Sequence, residues 1–228
     1  MAHLRRHGWI TVFALTALLG VLLLLALLVR PPGGAEPEGF GSRPDPALQQ
    51  ERNPTPGGPG NGPSAGGLSS GSADSASAAL PEPVRLSLPR VGLDARIDPV
   101  GVEADGTVEV PDDAARAGWY RFGPVPGSDT GSAVVVGHVD SRTGDLGALA
   151  ALYSVRAGDR VTVAREEDEP VPYEVTAREV HPKDALPDEI FRRDGSPVLT
   201  LITCTGTFDP ERGGYQSNLV VTAVPVGE

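Results

Sequence analysis

The chain contains a single cysteine, Cys204, which stands at the end of an apolar stretch that predicts a buried strand. Residues 198–203 are Val, Leu, Thr, Leu, Ile and Thr, which favour extended backbone. Gly206 follows two residues later and allows the chain to turn away at once. A thiol at the mouth of a rigid strand is well placed to attack a carbonyl carbon as a thiolate. The alternative is an inert buried cysteine that packs as a small hydrophobe.

A cysteine nucleophile needs a base or a cation nearby, because its free pKa is about 8.5. Beyond the first thirty residues the sequence has two histidines, His138 and His181. His138 ends the apolar stretch 132–137, so two neighbouring strands with aligned ends would bring its imidazole to Cys204. The Gly-His dipeptide alone predicts a buried histidine whose hydrogen bonds are satisfied. The presence of a lone cysteine at the end of another predicted strand favours a catalytic role for His138. His181 precedes Pro182 at a strand end, which predicts a half-exposed structural histidine.

An acyl-transfer site also needs a group that stabilises the oxyanion. Arg212 lies eight residues past Cys204 in the loop 208–214, and its guanidinium is always charged and forks well onto an oxyanion. A solvated loop arginine is an equally good interpretation. The sequence has no Cys or His cluster with metal-ligand spacing, no phosphate-binding glycine loop and no Gly-x-Ser-x-Gly motif. We therefore expect neither a metal nor another cofactor.

Short stretches of alternating or continuous apolar residues must position these side chains. They predict about eight strands, separated by Gly and Pro turns, at residues 84–89, 93–97, 107–110, 132–138, 160–163, 172–176, 198–204 and 218–224. A short helix or turn is predicted at 112–118 and a helical turn at 144–155. This pattern is typical of an all-β barrel or sandwich.

The N-terminal third of the chain differs from this domain in composition. Residues 1–8 form a short basic tail, and residues 9–29 carry no charge over 21 positions, enough for one transmembrane helix with its N-terminus in the cytoplasm. A cleavable signal peptide is the alternative, although its apolar region is normally shorter. Residues 30–82 are rich in Gly, Pro and Ser and predict a disordered linker. The net charge of −11 argues against nucleic acid and anionic lipid as partners.

Three motifs together resemble the sortase family, most closely the class F type of actinobacteria. They are Val-Gly-His-Val-Asp-Ser-Arg-Thr-Gly at 136–144, Leu-Ile-Thr-Cys-Thr-Gly at 201–206 and Tyr-Gln-Ser-Asn-Leu-Val-Val at 215–221. The resemblance covers about residues 84–226 and implies a closed eight-stranded β-barrel in domain 83–228. It further implies a membrane-anchored cysteine transpeptidase outside the cell, acting on secreted proteins with a Leu-Pro-x-Thr-Gly-like C-terminal sorting signal. Cys204 would hold the acyl part as a thioester, and His138 would move protons while a cell-wall amine accepts that part.

One position departs from the family pattern. Sortases generally carry an essential arginine close before the apolar run of the last strand, where this chain has Tyr215, Gln216, Ser217 and Asn218. Gln216 and Asn218 share a face by strand period and offer uncharged donors, while we expect Arg212 to reach in from the preceding loop. Two further functions stay open, a thiol hydrolase on the same fold and a catalytically weak barrel that binds partners at the cell surface.

Overall fold

The computed structural model describes residues 36–44 and 80–227. Eight strands follow one another in residues 80–227: β1 Pro83–Leu88, β2 Leu93–Val100, β3 Arg116–Tyr120, β4 Ser132–Gly137, β5 Arg160–Arg165, β6 Asp168–Pro182, β7 Val198–Asp209 and β8 Gly214–Pro225. They close into a barrel in the order β1-β2-β3-β4-β7-β8-β6-β5. Four short 3₁₀ helices connect them: η1 Pro89–Val91, η2 Ala148–Ser154, η3 Asp188–Phe191 and η4 Pro210–Arg212. The predicted closed eight-stranded barrel with short helices is confirmed.

The strands that carry the candidate chemistry are buried on both faces. Inside the barrel, Val135, Leu201 and Val221 belong to the main core. On the outer face of β4, β7 and β8 a second apolar cluster is covered by η3 and includes Val134, Val136, Ile190, Ile202 and Val220. Burial on both faces explains why these strands read as nearly continuous apolar runs.

Two predicted elements are wrong between β2 and β4. Residues 107–110 do not form a strand and make a single bridge, Val102 to Val108. Strand β3 lies instead where a short helix or turn was predicted, pairing parallel with β2 and antiparallel with β4. Long-range pairing decides this outcome, because strand propensity depends on the neighbours a strand packs against. Gly118 adds a local reason, since a Cβ there would lie 2.7 Å from a methyl carbon of Val100.

Residues 36–44 correct the prediction of one continuous flexible linker from 30 to 82. The backbones of Phe40 and Arg178 exchange hydrogen bonds of 2.9 and 2.8 Å, which adds a short extended segment to the free edge of β6. We call residues 36–44 the N-terminal strap. Within the described residues no helix has the length and apolar character needed to cross a bilayer. The predicted anchor at 9–29 and the remaining linker up to residue 79 lie outside those residues.

Candidate active site

Strands β4 and β7 place His138 and Cys204 side by side. The two strands run parallel, with Val136 opposite Ile202 and both side chains on the outer face. Two residues further on, Cys204 still belongs to β7, whereas His138 lies just past the end of β4. Continuing the register puts both residues at the same end of the sheet, on strands about 4.8 Å apart. The buried hydroxyl of Thr203 donates to the carbonyl oxygen of Gly137 at 2.9 Å. This bond fixes the residues immediately before the nucleophile and the base.

A row of side chains starts at Cys204 and continues across the next two strands. Asn218 of β8 is the direct antiparallel partner of Cys204, and His181 of β6 is the partner of Asn218. Opposite residues of neighbouring strands project from the same face. The sheet therefore presents Cys204, Asn218 and His181 in one line, and His138 follows the end of β4, the strand on the other side of Cys204. His181 is half-buried and its Nε2 lies 4.0 Å from a carboxylate oxygen of Glu179.

Backbone groups of two loops hold His138 in position. Its Nε2 lies 2.9 Å from the carbonyl oxygen of Pro111. A carbonyl only accepts, so Nε2 carries the hydrogen and Nδ1 is the nitrogen that can take a proton. The carbonyl oxygen of His138 accepts from the amide of Leu149 at 3.2 Å. Gly147 permits this approach, because a Cβ there would lie 2.3 Å from the same oxygen.

The thiol of Cys204 is half-buried and rests as a neutral group. Burial raises its pKa, the positive charge of Lys183 acts in the opposite direction, and the negative charge of Asp140 raises it further. A neutral thiol near an imidazole is a competent starting state for cysteine chemistry, provided that the proton moves to the imidazole when the sulfur attacks.

Two tyrosines that sequence reasoning did not assign surround this thiol. The hydroxyl of Tyr153 in η2 donates to the carbonyl oxygen of Cys204 at 3.2 Å. The hydroxyl of Tyr215 in β8 donates to Oδ2 of Asp140 at 2.6 Å, and this bond raises the pKa of Tyr215 to about 12. Neither tyrosine has a sequence signal of its own, because both act through contacts that only the folded barrel creates.

The N-terminal strap reaches the same end of the barrel. Arg178 is 9% exposed, and its guanidinium donates to the carbonyl oxygens of Tyr153 and Glu38, each at 2.6 Å. Its Cζ also lies 5.1 Å from the ring centroid of Phe40. Arg178 thus ties the strap to η2, whose Tyr153 holds the Cys204 backbone.

The structure does not bring Arg212 to Cys204. Arg212 ends η4 at the tip of the β7–β8 hairpin, where its side chain is 75% exposed and its Nε lies 3.5 Å from Asp209. Five residues of extended chain separate Cys204 from Asp209, or roughly 15 Å. Gln216 donates from Nε2 to the carbonyl oxygen of Gly214 at 2.6 Å, which turns it toward the hairpin. Of the three sequence candidates for the oxyanion donor, Asn218 is the one paired with Cys204.

Aromatic side chains line the sheet beside the site. Tyr120 makes edge-to-face contacts with Phe122 at 5.8 Å and with Phe191 at 5.7 Å between ring centroids. Phe122 is 48% exposed. Val136 and Ile202 belong to the apolar cluster on the outer face, two residues before His138 and Cys204. Within the described ranges no three His, Cys, Asp or Glu side chains are grouped as metal ligands. The site combines a thiol, a base and a carboxamide beside an apolar surface, which suits acyl transfer on a peptide.

Comparisons with known proteins agree with this geometry. The family model described as Sortase domain matches residues 86–226. Sortase C1 of Streptococcus agalactiae and sortase C-1 of Streptococcus pneumoniae are each 20% identical, with a TM-score of 0.50 over 64% of this chain and 67% of theirs. Sortase C-1 of Actinomyces oris is 21% identical, with a TM-score of 0.50 over 64% of this chain and 73% of its own. These structural likenesses show the fold. No curated protein sequence matches the chain.

Proposed function

Because this chain belongs to the sortase family, whose members are cysteine transpeptidases, we propose that it cleaves a Leu-Pro-x-Thr-Gly-like sorting signal and transfers the acyl part to an amine. The observation that carries the proposal is the position of Cys204, opposite Asn218 of β8 and beside the end of β4, which His138 follows. A nucleophile, a base and an uncharged donor on three neighbouring strands are the parts that thioester chemistry needs.

The reaction has two halves. In the first, Nδ1 of His138 takes the proton of the Cys204 thiol as the sulfur attacks the carbonyl carbon of the signal's threonine. The carbonyl becomes an oxyanion, to which the Asn218 carboxamide donates a hydrogen bond. Collapse of this intermediate breaks the C–N bond between Thr and Gly, and His138 gives its proton to the leaving amine.

In the second half an acceptor amine attacks the thioester. His138 removes the proton of that amine, a new amide bond forms and the C–S bond breaks. The released thiolate then recovers the proton from His138. Water in place of the amine would give hydrolysis, so the acceptor decides whether the outcome is transfer or release.

We extend the proposal to location, subtype and partners. The uncharged stretch 9–29 would anchor the chain in the cell membrane with the barrel outside, as a class F-like actinobacterial sortase. Its substrates would be secreted proteins that carry a C-terminal sorting signal, and its acceptor a cell-wall peptide amine. The acidic net charge of −11 is compatible with an exposed soluble domain.

The experiment is to incubate the full chain with a panel of Leu-Pro-x-Thr-Gly peptides, with and without an amine acceptor, and to measure intact mass. We expect an acyl adduct that is absent from the Cys204→Ala variant, and an amide product when the amine is present. Release of free acid alone would identify a thiol hydrolase. No adduct from any peptide, with Cys204 kept reduced, would refute both enzymatic functions and leave a barrel that binds partners.

A further inference from the structure

Lys183 is the only lysine of the chain, which otherwise uses arginine for its side-chain cations. It lies just beyond β6, where its backbone amide donates to the carbonyl oxygen of Gln216 at 2.9 Å and so continues the pairing of β6 with β8. His181, two residues earlier, belongs to the row of Cys204 and Asn218. Lys183 begins the turn that follows β6, and its side chain is exposed. The turn sets Lys183 at the same end of the sheet as the row that contains the thiol.

The charge of Lys183 is not neutralised by a close partner. Within residues 36–44 and 80–227, no carboxylate oxygen comes within 4.0 Å of its ammonium nitrogen. The pKa of Asp105, in the β2–β3 loop, is lowered chiefly by hydrogen bonds from Thr107 and in small part by Lys183. Because the side chain is exposed, water screens part of its field, and the remaining field acts on the groups at this end of the sheet.

Several ionisable groups influence the pKa of Cys204, and Lys183 differs from Asp140 in carrying a positive charge. Asp140 from the β4–η2 loop raises the pKa of the thiol, whereas Lys183 lowers it. Other ionisable side chains at this end of the sheet are His138, Tyr153, His181, Tyr215 and Glu36 of the N-terminal strap, whose carboxylate lies beside Gly206. Arg212, the sequence candidate for this charge, is solvated at the hairpin tip.

We propose that Lys183 supplies the positive charge of the active site, stabilising the Cys204 thiolate and then the oxyanion that forms on the substrate carbonyl when the sulfur attacks. Asn218 contributes a hydrogen bond from β8, and Lys183 contributes the charge from the end of β6. The lysine gives up no proton in this role, since His138 performs both proton transfers. The inference rests on the proposed thioester chemistry and identifies the cation that this chemistry uses.

The first test needs no substrate. Cys204 is the only thiol, so its alkylation by iodoacetamide across pH reports its pKa directly. In the full chain, Lys183→Met should move the alkylation midpoint to higher pH and slow alkylation at pH 7 about threefold to tenfold, because the field of an exposed charge is partly screened. Lys183→Arg should restore the profile, and Arg193→Met, which removes a charge from the same β6–β7 loop, should not change it.

The second test follows acylation with a sorting peptide. Lys183→Met should lower the acylation rate constant about tenfold or more at unchanged KM. Added salt should reduce the ratio of the wild-type rate constant to that of the variant. Reductive methylation retains the charge of the single lysine and should leave both assays unchanged.

An unshifted alkylation profile in a folded Lys183→Met protein would overturn the inference. So would a rise in KM alone, which would assign Lys183 to a substrate carboxylate instead. Neither result bears on whether the wild-type chain forms a thioester, so this inference and the proposed function fail separately.

Discussion

Replacing Asn218 by alanine should abolish most of the transferase activity, and replacing Arg212 should not. Asn218 is directly opposite Cys204 in the β7–β8 pairing, so its carboxamide projects beside the thiol. Removing one preorganised oxyanion donor costs about 2.7–4 kcal/mol of transition-state stabilisation, or roughly 10²–10³ in kcat. Alanine keeps the backbone amide and carbonyl that pair β8 with β6 and β7, so the fold should persist.

Arg212 is the matched comparison because it was the charged candidate for the same role. Its side chain is three-quarters exposed and pairs with Asp209 at 3.5 Å on the hairpin tip. Exposed ion pairs contribute roughly 0–1 kcal/mol, and none of this reaches the oxyanion. Arg212→Ala should therefore change kcat/KM by less than about threefold, while Asn218→Asp, which adds a negative charge beside the thiolate, should be at least as inactive as Asn218→Ala.

The assay is single-turnover acylation by a sorting peptide, with rate and adduct measured by intact mass, followed by steady-state kcat and KM. Urea denaturation of each variant separates a catalytic effect from unfolding. Loss of turnover in Arg212→Ala together with an active Asn218→Ala would refute the reasoning. It would mean that the β7–β8 hairpin folds over Cys204 when peptide binds, and that the Arg212 guanidinium rather than the Asn218 carboxamide stabilises the oxyanion.

Three further predictions concern the groups that hold the site. Thr203→Val removes the donor to the Gly137 carbonyl at constant shape; it should lower the free energy of unfolding by about 1–3 kcal/mol and slow acylation, and a variant equal to wild type in urea would contradict this. Phe40→Ala removes the ring over Arg178 and should cost about 1–3 kcal/mol, less than a fully buried phenylalanine; an unchanged thermal midpoint would show that the strap does not stabilise the barrel. Alkylation of Cys204 should have its midpoint at higher pH in the folded chain than in urea, because burial raises the thiol pKa; a folded midpoint at or below the unfolded one would refute that assignment.

Local patterns were sufficient to predict strand β4 and the first part of β7. The prediction that the second strand ends at Cys204 is wrong, because β7 continues to Asp209 by pairing with β8. Residues 132–137 and 198–203 are apolar on both faces, and such runs require a central position in the sheet. The parallel pairing of these two strands then aligns His138 with Cys204. The sequence could not predict the partner of Cys204 on β8, because a register shift between Thr205 and Phe208 interrupts the hairpin. That shift decides whether residue 216, 217 or 218 stands opposite the thiol.

Other features depend on contacts distant in sequence. Strand β3 has no strong pattern of its own and exists because β2 and β4 flank it. The N-terminal strap lies in a stretch poor in large apolar residues, and it docks because Phe40 covers the buried Arg178 and Glu38 offers its carbonyl oxygen. A composition average over residues 30–82 does not detect one aromatic residue with a specific partner.

The row of Cys204, Asn218 and His181 also accounts for a proposed oxyanion site that has no arginine on the last strand. Register fixes the row, because a one-residue slip would turn Cys204 and Asn218 into the barrel interior. Thr203 pins β7 to the end of β4, and Tyr153 pins the carbonyl of Cys204 to η2. With the thiol held on both sides, a directed hydrogen bond needs no long flexible side chain, and a short carboxamide opposite the sulfur suffices. In the proposed mechanism the charge comes from a separate element, so that Lys183 beyond the end of β6 and Asn218 on β8 would together replace one guanidinium.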